Sequence, residues 1–430
     1  MSKRPTASAE SGKECPVNYA FTFARTPRLE FGPRRLALVP ALIAGREKAQ
    51  GFPFAVAALV TGGASFRAGS RYAGLVAELR SAGVRLLEFA CAHEPDPDFI
   101  DASAAALLNA SGGRAERIAV LAVGGGSAMD AGKAIAALCA ESEAAAKRGE
   151  TPPSVKNFLE GVGDRTPSGS TSWLLAAPTT AGTGSEATKN AVISKIGAGG
   201  FKKSLRHDSF VPAVAVVDAE LALGCPHEVT AASGLDALVQ LLEAWTSPQA
   251  SPLVEAVCAS GIVAFARSFE RVLADGNDLE ARSDMAYAAY CSGLGLANAG
   301  LGCVHALASP LGSRYPVPHG AACAALLVPA TDLNLRLLRE RGGEPGSRKA
   351  IAAYAAAARL LAPLSGASGR PEDGLPAALR RLVTIAGLRR LADWGMREAD
   401  IPELASAAGT KTNPVALAAS DYEALLHEAI

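Results

Sequence analysis

The chain has 430 residues, of which 49% are apolar and 20% charged, so it is long enough for two domains with sizeable cores. Lysine plus arginine equals aspartate plus glutamate, at 42 each, and this balance favours neither nucleic acid nor a membrane surface as a partner. The eight cysteines include no CxxC pair, which is typical of buried thiols in a reducing cytoplasm.

The first part of the chain predicts alternating strands and helices. Residues 1–16 are expected to form a disordered tail, too polar for a signal peptide, and YAFTFARTPRLEFG then predicts an edge hairpin. Three apolar runs follow, each leading through a turn into a helical pattern: FAVAALVTGG, VRLLEFA and RIAVLAVGGG. Continuous apolar runs are typical of buried parallel strands. The alternation therefore predicts a doubly wound α/β dinucleotide-binding domain.

The pattern changes after residue 225. Before it, TSWLLAAPTTAGTGSEATKNAVIS predicts a strand, a loop and a second strand, and VPAVAVVDAELAL (211–223) predicts the last strand. Beyond it, Ala- and Leu-rich helical patterns dominate, with little sign of strands. We therefore expect an α/β domain over 17–225 and an all-α domain over 226–430. Charges and glycines interrupt the apolar runs, so no membrane-spanning segment is expected.

Two glycine-rich turns are candidates for nucleotide binding. VGGGSAMD (123–130) lies between a predicted strand and a predicted helix, where free backbone N–H groups suit an anionic pyrophosphate. It matches neither a Walker A motif nor GxGxxG, and a tight turn without a ligand is the alternative. The hydroxyls and glycines of PTTAGTGSEAT (178–188) can surround ribose and phosphate groups, although such loops often bind nothing.

A group of metal-ligand residue types lies in the second half. Of only six histidines, two stand fourteen residues apart, at His305 and His319. Upstream, GLDALVQLLEAW places Asp236 and Gln240 at i and i+4, on one face of a predicted helix. These four side chains can surround a divalent cation of the iron or zinc type. The alternative is two polar core histidines and a helix cap.

Taken in order, these motifs resemble the iron-dependent (group III) alcohol dehydrogenase family, which is related in fold to glycerol dehydrogenase and dehydroquinate synthase. The resemblance runs from LEFG near residue 30 to NPVAL near residue 415. It implies a dehydroquinate synthase-like fold, with one metal ion bound by Asp236, Gln240, His305 and His319. It assigns the pyrophosphate turn to Gly124, Gly125, Gly126, Ser127 and Asp130. It assigns four further residues to cofactor binding: Thr179, Thr180, Thr183 and Lys202. Lys203 is the alternative to Lys202.

Two residues depart from the family pattern. Gln240 stands where histidine is common, and it is expected to be either a weak fourth ligand or a hydrogen-bonding neighbour of the site. Because its carboxamide oxygen is a weaker ligand than imidazole, metal affinity and metal preference are expected to change. Ser309 stands where many relatives carry a histidine that relays a proton. A serine hydroxyl can pass a proton through water but does not titrate near neutrality. We expect Fe²⁺, while Zn²⁺ and Mn²⁺ remain open.

The turn after the first long strand bears on the choice of cofactor. NAD-selective family members tend to carry an aspartate there, which repels a 2′-phosphate. In this chain the turn contains Gly62 and Gly63, and Arg67 nearby can pair with a phosphate. Both NAD and NADP are therefore expected to be possible, with the two glycines against the nucleotide.

The resemblance implies an NAD(P)-dependent, metal-dependent alcohol dehydrogenase or aldehyde reductase acting on a small primary alcohol or aldehyde. We expect a cytoplasmic homo-oligomer, a dimer, whose catalytic residues are Asp236, His305, His319 and Ser309. One alternative is a metal-free reductase resembling maleylacetate reductase. Another is a dehydroquinate synthase-like lyase, which the few basic residues near the second-half motifs disfavour. A non-enzymatic binding protein is the remaining alternative.

Overall fold

The computed structural model describes residues 20–195, 200–341, 345–362, 371–409 and 411–430, so the predicted tail lies outside the described residues. Its strands are β1 Arg28–Phe31, β2 Val56–Thr61, β3 Leu86–Ala90, β4 Ile118–Gly124, β5 Trp173–Pro178, β6 Asn190–Lys195, β7 Phe201–Arg206 and β8 Val214–Val217. Six of them form a parallel sheet in the order β1-β8-β5-β4-β2-β3. The other two, β6 and β7, form an antiparallel ribbon.

Fourteen α-helices occur in the described residues. Five accompany the sheet: α1 Val39–Gln50, α2 Ala64–Arg67, α3 Ser70–Ser81, α4 Pro97–Ser111 and α5 Gly126–Lys147. Nine follow the last strand: α6 His227–Thr246, α7 Pro252–Ala274, α8 Leu279–Ala299, α9 Cys303–Arg314, α10 His319–Glu340, α11 Pro345–Leu361, α12 Pro371–Ala386, α13 Ile401–Ser406 and α14 Ala419–Ala429. No strand occurs among the described residues after β8, and the predicted fold class is confirmed.

The sheet is covered on both faces, which explains its uninterrupted apolar strands. Every residue of β2 and β4 is buried. Alternate residues point to opposite faces of a strand, so Val56 joins the core beneath α4 and α5, whereas Leu59 joins the core beneath α1 and α3. Helices on both faces are typical of parallel sheets. This arrangement leaves the carboxyl ends of the strands free to carry the nucleotide turns.

One expectation about the strands is wrong, and one strand was not expected. The edge hairpin is not formed, because β1 pairs in parallel with β8, nearly two hundred residues away in the chain. The antiparallel pair is instead β6 with β7, and β7 was not predicted.

The helices of the second half include apolar segments longer than the sequence led us to expect. By length and composition, Pro252–Ala274 and His319–Glu340 could each cross a membrane, as could the bent pair α8 and α9 if it is one span. Many of their apolar side chains pack in the helical core, which accounts for this composition.

Candidate metal centre and cofactor cleft

Three helices of the second half meet around one group of metal-binding side chains. Asp236 comes from the middle of α6, His305 from the first turn of α9, and His319 from the first residue of α10. Cys323 joins them from one turn further along α10, because residues at i and i+4 share a helix face. One ligand atom from each of the four lies within 4.8 Å of the others. Sequence reasoning missed Cys323, although the HGAAC spacing contained it.

The donor atoms point at one another across a small gap. Oδ1 of Asp236 lies 3.4 Å from Nε2 of His305 and 3.8 Å from Nε2 of His319. This buried oxygen has no hydrogen-bond partner in the described part of the chain. A buried carboxylate oxygen without a donor is costly, and a cation bound between it and the two imidazoles would remove that cost. The residues present therefore fit a divalent metal ion. The His319 side chain is 32% exposed, so the group opens to solvent on that side.

The electrostatics of the group favour positive charge. Burial opposes ionisation of Asp236, yet the neighbouring imidazoles hold the pKa of its carboxyl below the ordinary value. Burial also opposes protonation of His305, but Cys323, Glu243 and Asp236 raise its pKa well above the ordinary value. Burial lowers the pKa of His319 to about 4, which leaves its imidazole neutral. Surroundings that favour a proton on one imidazole also favour a metal cation beside it.

Glu243, which sequence reasoning also missed, orients His305. Its Oε2 lies 2.6 Å from Nδ1 of that imidazole, and its Oε1 accepts a hydrogen bond of 2.8 Å from the backbone N–H of Val304. A ligating histidine commonly donates its second ring N–H to a carboxylate, which leaves the other nitrogen free to bind metal. Glu243 lies at i+7 from Asp236 on α6, so the helical period placed it on the same face.

Gln240 and Ser309, the two residues that depart from the family pattern, lie in different surroundings: Gln240 is buried and Ser309 is exposed. Gln240 donates a hydrogen bond of 3.1 Å from Nε2 to Oδ2 of Asp236, and its Oε1 lies 3.0 Å from the hydroxyl of Ser292. It is therefore a hydrogen-bonding neighbour of the predicted ligand Asp236. Ser309 is exposed one turn after His305, and its hydroxyl lies 3.5 Å from the backbone carbonyl of that residue.

The first glycine turn joins the end of β4 to the start of α5. A Cβ atom on Gly124 would lie 2.6 Å from the Cβ of Ala128 and 2.9 Å from the backbone nitrogen of Gly62. Only glycine allows this approach, which brings the turn that contains Gly62 and Gly63 against the first. Gly126 and Ser127 occupy the first turn of α5, where backbone N–H groups lack helical partners. These groups can receive a pyrophosphate.

The threonine-rich loop packs against that turn. The backbone N–H of Thr179 donates a 3.0 Å hydrogen bond to the carbonyl of Gly124. A Cβ on Gly125 would lie 3.5 Å from Oγ1 of Thr180, and one on Gly126 would lie 3.0 Å from Cγ2 of Thr183. The structure thus brings the predicted glycines and threonines together at the carboxyl edge of the sheet, where α/β folds bind nucleotides.

Asp130 is directed towards this loop through hydrogen bonds within the protein. Its carboxylate accepts 2.7 Å and 3.0 Å hydrogen bonds from the Ser185 hydroxyl and the Val192 N–H. Buried Lys133, which was not predicted, donates to the hydroxyls of Ser185 and Thr188 at 2.7 Å and 3.0 Å. Both side chains therefore hold the loop on α5.

Lys202 is the better placed of the two candidate lysines. Its side chain is 13% exposed and forms an ion pair with Glu94, whereas Lys203 is exposed. Nζ of Lys202 would lie 3.6 Å from a Cβ on Gly312 of α9. The lysine therefore extends from the β6–β7 ribbon towards the helices that carry the metal-binding group.

A short polar path connects the two halves of the site. The hydroxyl of Ser292 has one proton and three acceptors around it: the carbonyl of Ala289 on its own helix at 2.8 Å, Oε1 of Gln240 at 3.0 Å and the carbonyl of Gly182, in the threonine-rich loop, at 3.3 Å. Gln240 in turn donates to Asp236. A Cβ on Gly182 would lie only 2.8 Å from Cβ of Ser233 on α6. The nucleotide loop thus lies directly on the helix that supplies the carboxylate.

Comparison with known proteins places this geometry in a family. The chain matches the iron-containing alcohol dehydrogenase model over residues 27–219 and the C-terminal model of the Fe-containing alcohol dehydrogenase family over residues 230–430. It is 35% identical over 320 residues to alcohol dehydrogenase 4 of Saccharomyces cerevisiae, which covers 72% of this chain and 75% of that protein. The chain belongs to the iron-containing alcohol dehydrogenase family. The resemblance inferred from the motifs is confirmed.

A further relative by sequence and a solved structure are similar to this family member. Long-chain-alcohol dehydrogenase 1 of Geobacillus thermodenitrificans is 39% identical over 208 residues, which cover 48% of this chain and 49% of the relative. The chain thus spans about half the length of that relative. The crystal structure of 1,3-propanediol oxidoreductase superposes with a TM-score of 0.77 at 28% identity, covering 96% of this chain and all of that one. Membership of the iron-containing alcohol dehydrogenase family implies a nicotinamide cofactor and a divalent metal.

In this iron-containing alcohol dehydrogenase homologue, a carboxylate lies near the turn that bears on cofactor choice. Glu88 on β3 lies 3.7 Å from the guanidinium of Arg67, a contact that sequence reasoning missed. Glu88 also pairs with Arg80 at 3.0 Å and accepts a hydrogen bond from the hydroxyl of Tyr72. Arg80 balances the charge of Glu88 and Tyr72 donates a hydrogen bond to it, so Arg67 is the more distant of the two guanidinium groups around this carboxylate. Side chains on Gly62 or Gly63 would meet no atom within 4 Å.

Proposed function

We propose that this protein is an NAD(P)-dependent, metal-dependent alcohol dehydrogenase or aldehyde reductase, which transfers hydride between nicotinamide and a small primary alcohol or aldehyde. The observation that supports it is the contact between the threonine-rich nucleotide loop and the helix of Asp236. Gly182 packs on Ser233, three residues before that carboxylate. A cofactor bound along the two loops would therefore place its reactive end near the metal-binding group.

The roles of the residues follow from their positions. Asp236, His305 and His319 would hold the ion, which polarises a carbonyl or lowers the pKa of an alcohol when bound. Glu243 keeps the His305 ring in place, and the α5 N-terminus receives the pyrophosphate. Lys202, which is held by its ion pair with Glu94 and extends towards Gly312 of α9, is the proposed contact to the nicotinamide ribose. Ser309, exposed beside His305, is the proposed start of a proton path to water.

The cofactor is proposed to be either NAD or NADP, with NADP accepted at least in part. No acidic side chain stands at Gly62 or Gly63, and Arg80 balances the charge of Glu88, to which Tyr72 also donates a hydrogen bond. Arg67, with a third of its side chain exposed, is therefore available to a 2′-phosphate. We also propose a cytoplasmic dimer. An exposed Leu29 lies on β1, at one edge of the six-stranded sheet, and edge strands can pair with another chain.

The test is a panel of alcohols and aldehydes followed through the absorbance of NADH and NADPH, with Fe²⁺, Zn²⁺ or Mn²⁺ added to stripped protein. We expect turnover that disappears after chelation and returns with metal, while calorimetric binding of the cofactor persists. Full turnover with far less than one metal ion per chain would replace the proposal with a metal-free reductase. No turnover of any substrate in the panel by metal-loaded protein would contradict the proposed reaction.

A further inference from the structure

We propose that the thiolate of Cys323 is a ligand of the catalytic metal ion, taking the place left by Gln240, and that the site prefers thiolate-binding ions such as Zn²⁺. The proposal rests on the proposed function, because it concerns the same metal ion. It differs from the ligand set expected from the sequence in one member. The ligands become Asp236, His305, His319 and Cys323.

The distances between donor atoms support four ligands around one ion. Typical Zn–N and Zn–S bonds place tetrahedral donors about 3.4 Å apart for two light atoms and about 3.6 Å apart for nitrogen and sulfur. Sγ of Cys323 lies 3.8 Å from Nε2 of His305 and 3.8 Å from Nε2 of His319. Oδ1 of Asp236 lies 3.4 Å from the first imidazole and 3.8 Å from the second. All four separations are close to the tetrahedral values.

Gln240 is held away from this role by its own hydrogen bonds. Its side chain touches the Asp236 carboxylate at 3.1 Å. Two acceptor oxygens at that distance would repel, so the amide must present its N–H to the carboxylate. Its carbonyl oxygen then faces the hydroxyl of Ser292 at 3.0 Å. In this orientation the carboxamide presents its N–H to the metal-binding carboxylate and its single oxygen to Ser292.

The charges also balance. On binding, the thiol of Cys323 releases one proton to solvent and its sulfur forms the bond to the metal, without any oxidation or reduction. The thiolate and the Asp236 carboxylate together carry two negative charges, which neutralise a divalent ion. Neutrality matters here because Asp236 and Cys323 are both buried. Thiolate ligands favour zinc and other soft or borderline ions over Mn²⁺, which narrows the choice of metal.

X-ray absorption of the Zn²⁺-loaded full-length protein tests the ligand directly, without using activity. We expect one sulfur neighbour at about 2.3 Å beside nitrogen and oxygen neighbours at about 2.0–2.1 Å. The sulfur neighbour should disappear in Cys323→Ser and Cys323→Ala, and it should persist in Cys258→Ala. Cys258 is a matched control, because it is an equally buried thiol of the helical half that lies outside the metal-binding group. Absence of sulfur from the metal shell of the parent protein would overturn the proposal.

A double variant extends the test in case the single variants fold poorly. Cys323→Ala with Gln240→His should bind Zn²⁺ more tightly than Cys323→Ala alone, through nitrogen and oxygen donors only. In the Co²⁺-loaded protein, the thiolate charge-transfer band should be present in the parent and absent in the double variant. The same band in both proteins would overturn the assignment of Cys323. Sulfur ligation in a protein that turned over no alcohol or aldehyde would support the ligand while contradicting the proposed reaction.

Discussion

Replacing Glu243 with glutamine should weaken metal binding without disturbing the fold. One oxygen of Glu243 accepts the N–H of Val304, and the other lies 2.6 Å from Nδ1 of His305. The glutamine oxygen can keep the bond to Val304, but its NH₂ group then faces the imidazole. Because two donors cannot share that contact, the proton of His305 should move to Nε2, the nitrogen that faces Asp236. In the neutral imidazole, which is the form that binds metal, the electron pair would then lie on Nδ1 and not on the nitrogen that faces Asp236.

The size of this effect follows from the contact that is lost. Hydrogen-bond partners of metal-binding histidines typically contribute 10–100-fold in affinity, or about 1.4–2.7 kcal/mol. We expect a Glu243→Gln loss within that range, since the bond is short and charge-assisted. Competition for Zn²⁺ against a chelator of known affinity measures it. Glu270→Gln, on the exposed surface of α7, is the control. Unchanged zinc affinity in Glu243→Gln would refute the assigned orientation of His305.

Three further predictions concern the nucleotide half. Gly125→Val should abolish NAD(P)H binding, measured by calorimetry, in a protein that still folds. Gly124→Ala should instead lower the free energy of unfolding, because the Cβ added at Gly124 would lie 2.6 Å from Cβ of Ala128. Gly63→Asp should depress kcat/KM with NADP far more than with NAD, by charge repulsion; equal losses would contradict it. Burial raises the pKa of Glu186 to about 7 from 4.5. Its protonated form therefore stabilises the fold fully below about pH 4.5, and this contribution is lost as the pH rises to about 7. Over that window urea unfolding should show the parent losing on the order of 1–3 kcal/mol relative to Glu186→Gln.

Much of the fold was predictable because its determinants are local. The strands β2 and β4 are apolar at almost every position and are buried at every position. The glycine turns at the ends of these strands predicted that nucleotide binds at the carboxyl edge of the sheet, and the structure brings these turns together at that edge. The parallel pairing of β1 with β8 was not predictable. Its partner lies far along the chain, and a short strand contains no information about a distant register.

The sequence spacing predicted which residues form the candidate site, but most of the contacts among their side chains could not be predicted. Asp236, His305 and His319 converge as expected, because helix periodicity and the family pattern both constrain them. The sequence around Cys323 predicts a buried apolar residue, since a lone cysteine in an apolar helix is most often that. Only the crossing of α9 and α10 shows that its sulfur faces two imidazoles. The role of Lys133 could not be predicted either, because its hydrogen-bond partners come from a loop some fifty residues away.

The replacement at Gln240 gives this chain a connection that a metal-bound histidine could not provide. A histidine that binds the ion through one ring nitrogen has a single N–H left, so it could not both donate to Asp236 and offer an acceptor to Ser292. The carboxamide instead bonds to Asp236 with one end and faces Ser292 with the other. The Ser292 hydroxyl also lies beside the carbonyl of Gly182 in the nucleotide loop. Two side chains, Ser292 and Gln240, therefore lie between that loop and the metal-binding carboxylate. With Cys323 as the fourth donor, Gln240 can keep this role while the ion remains fully ligated.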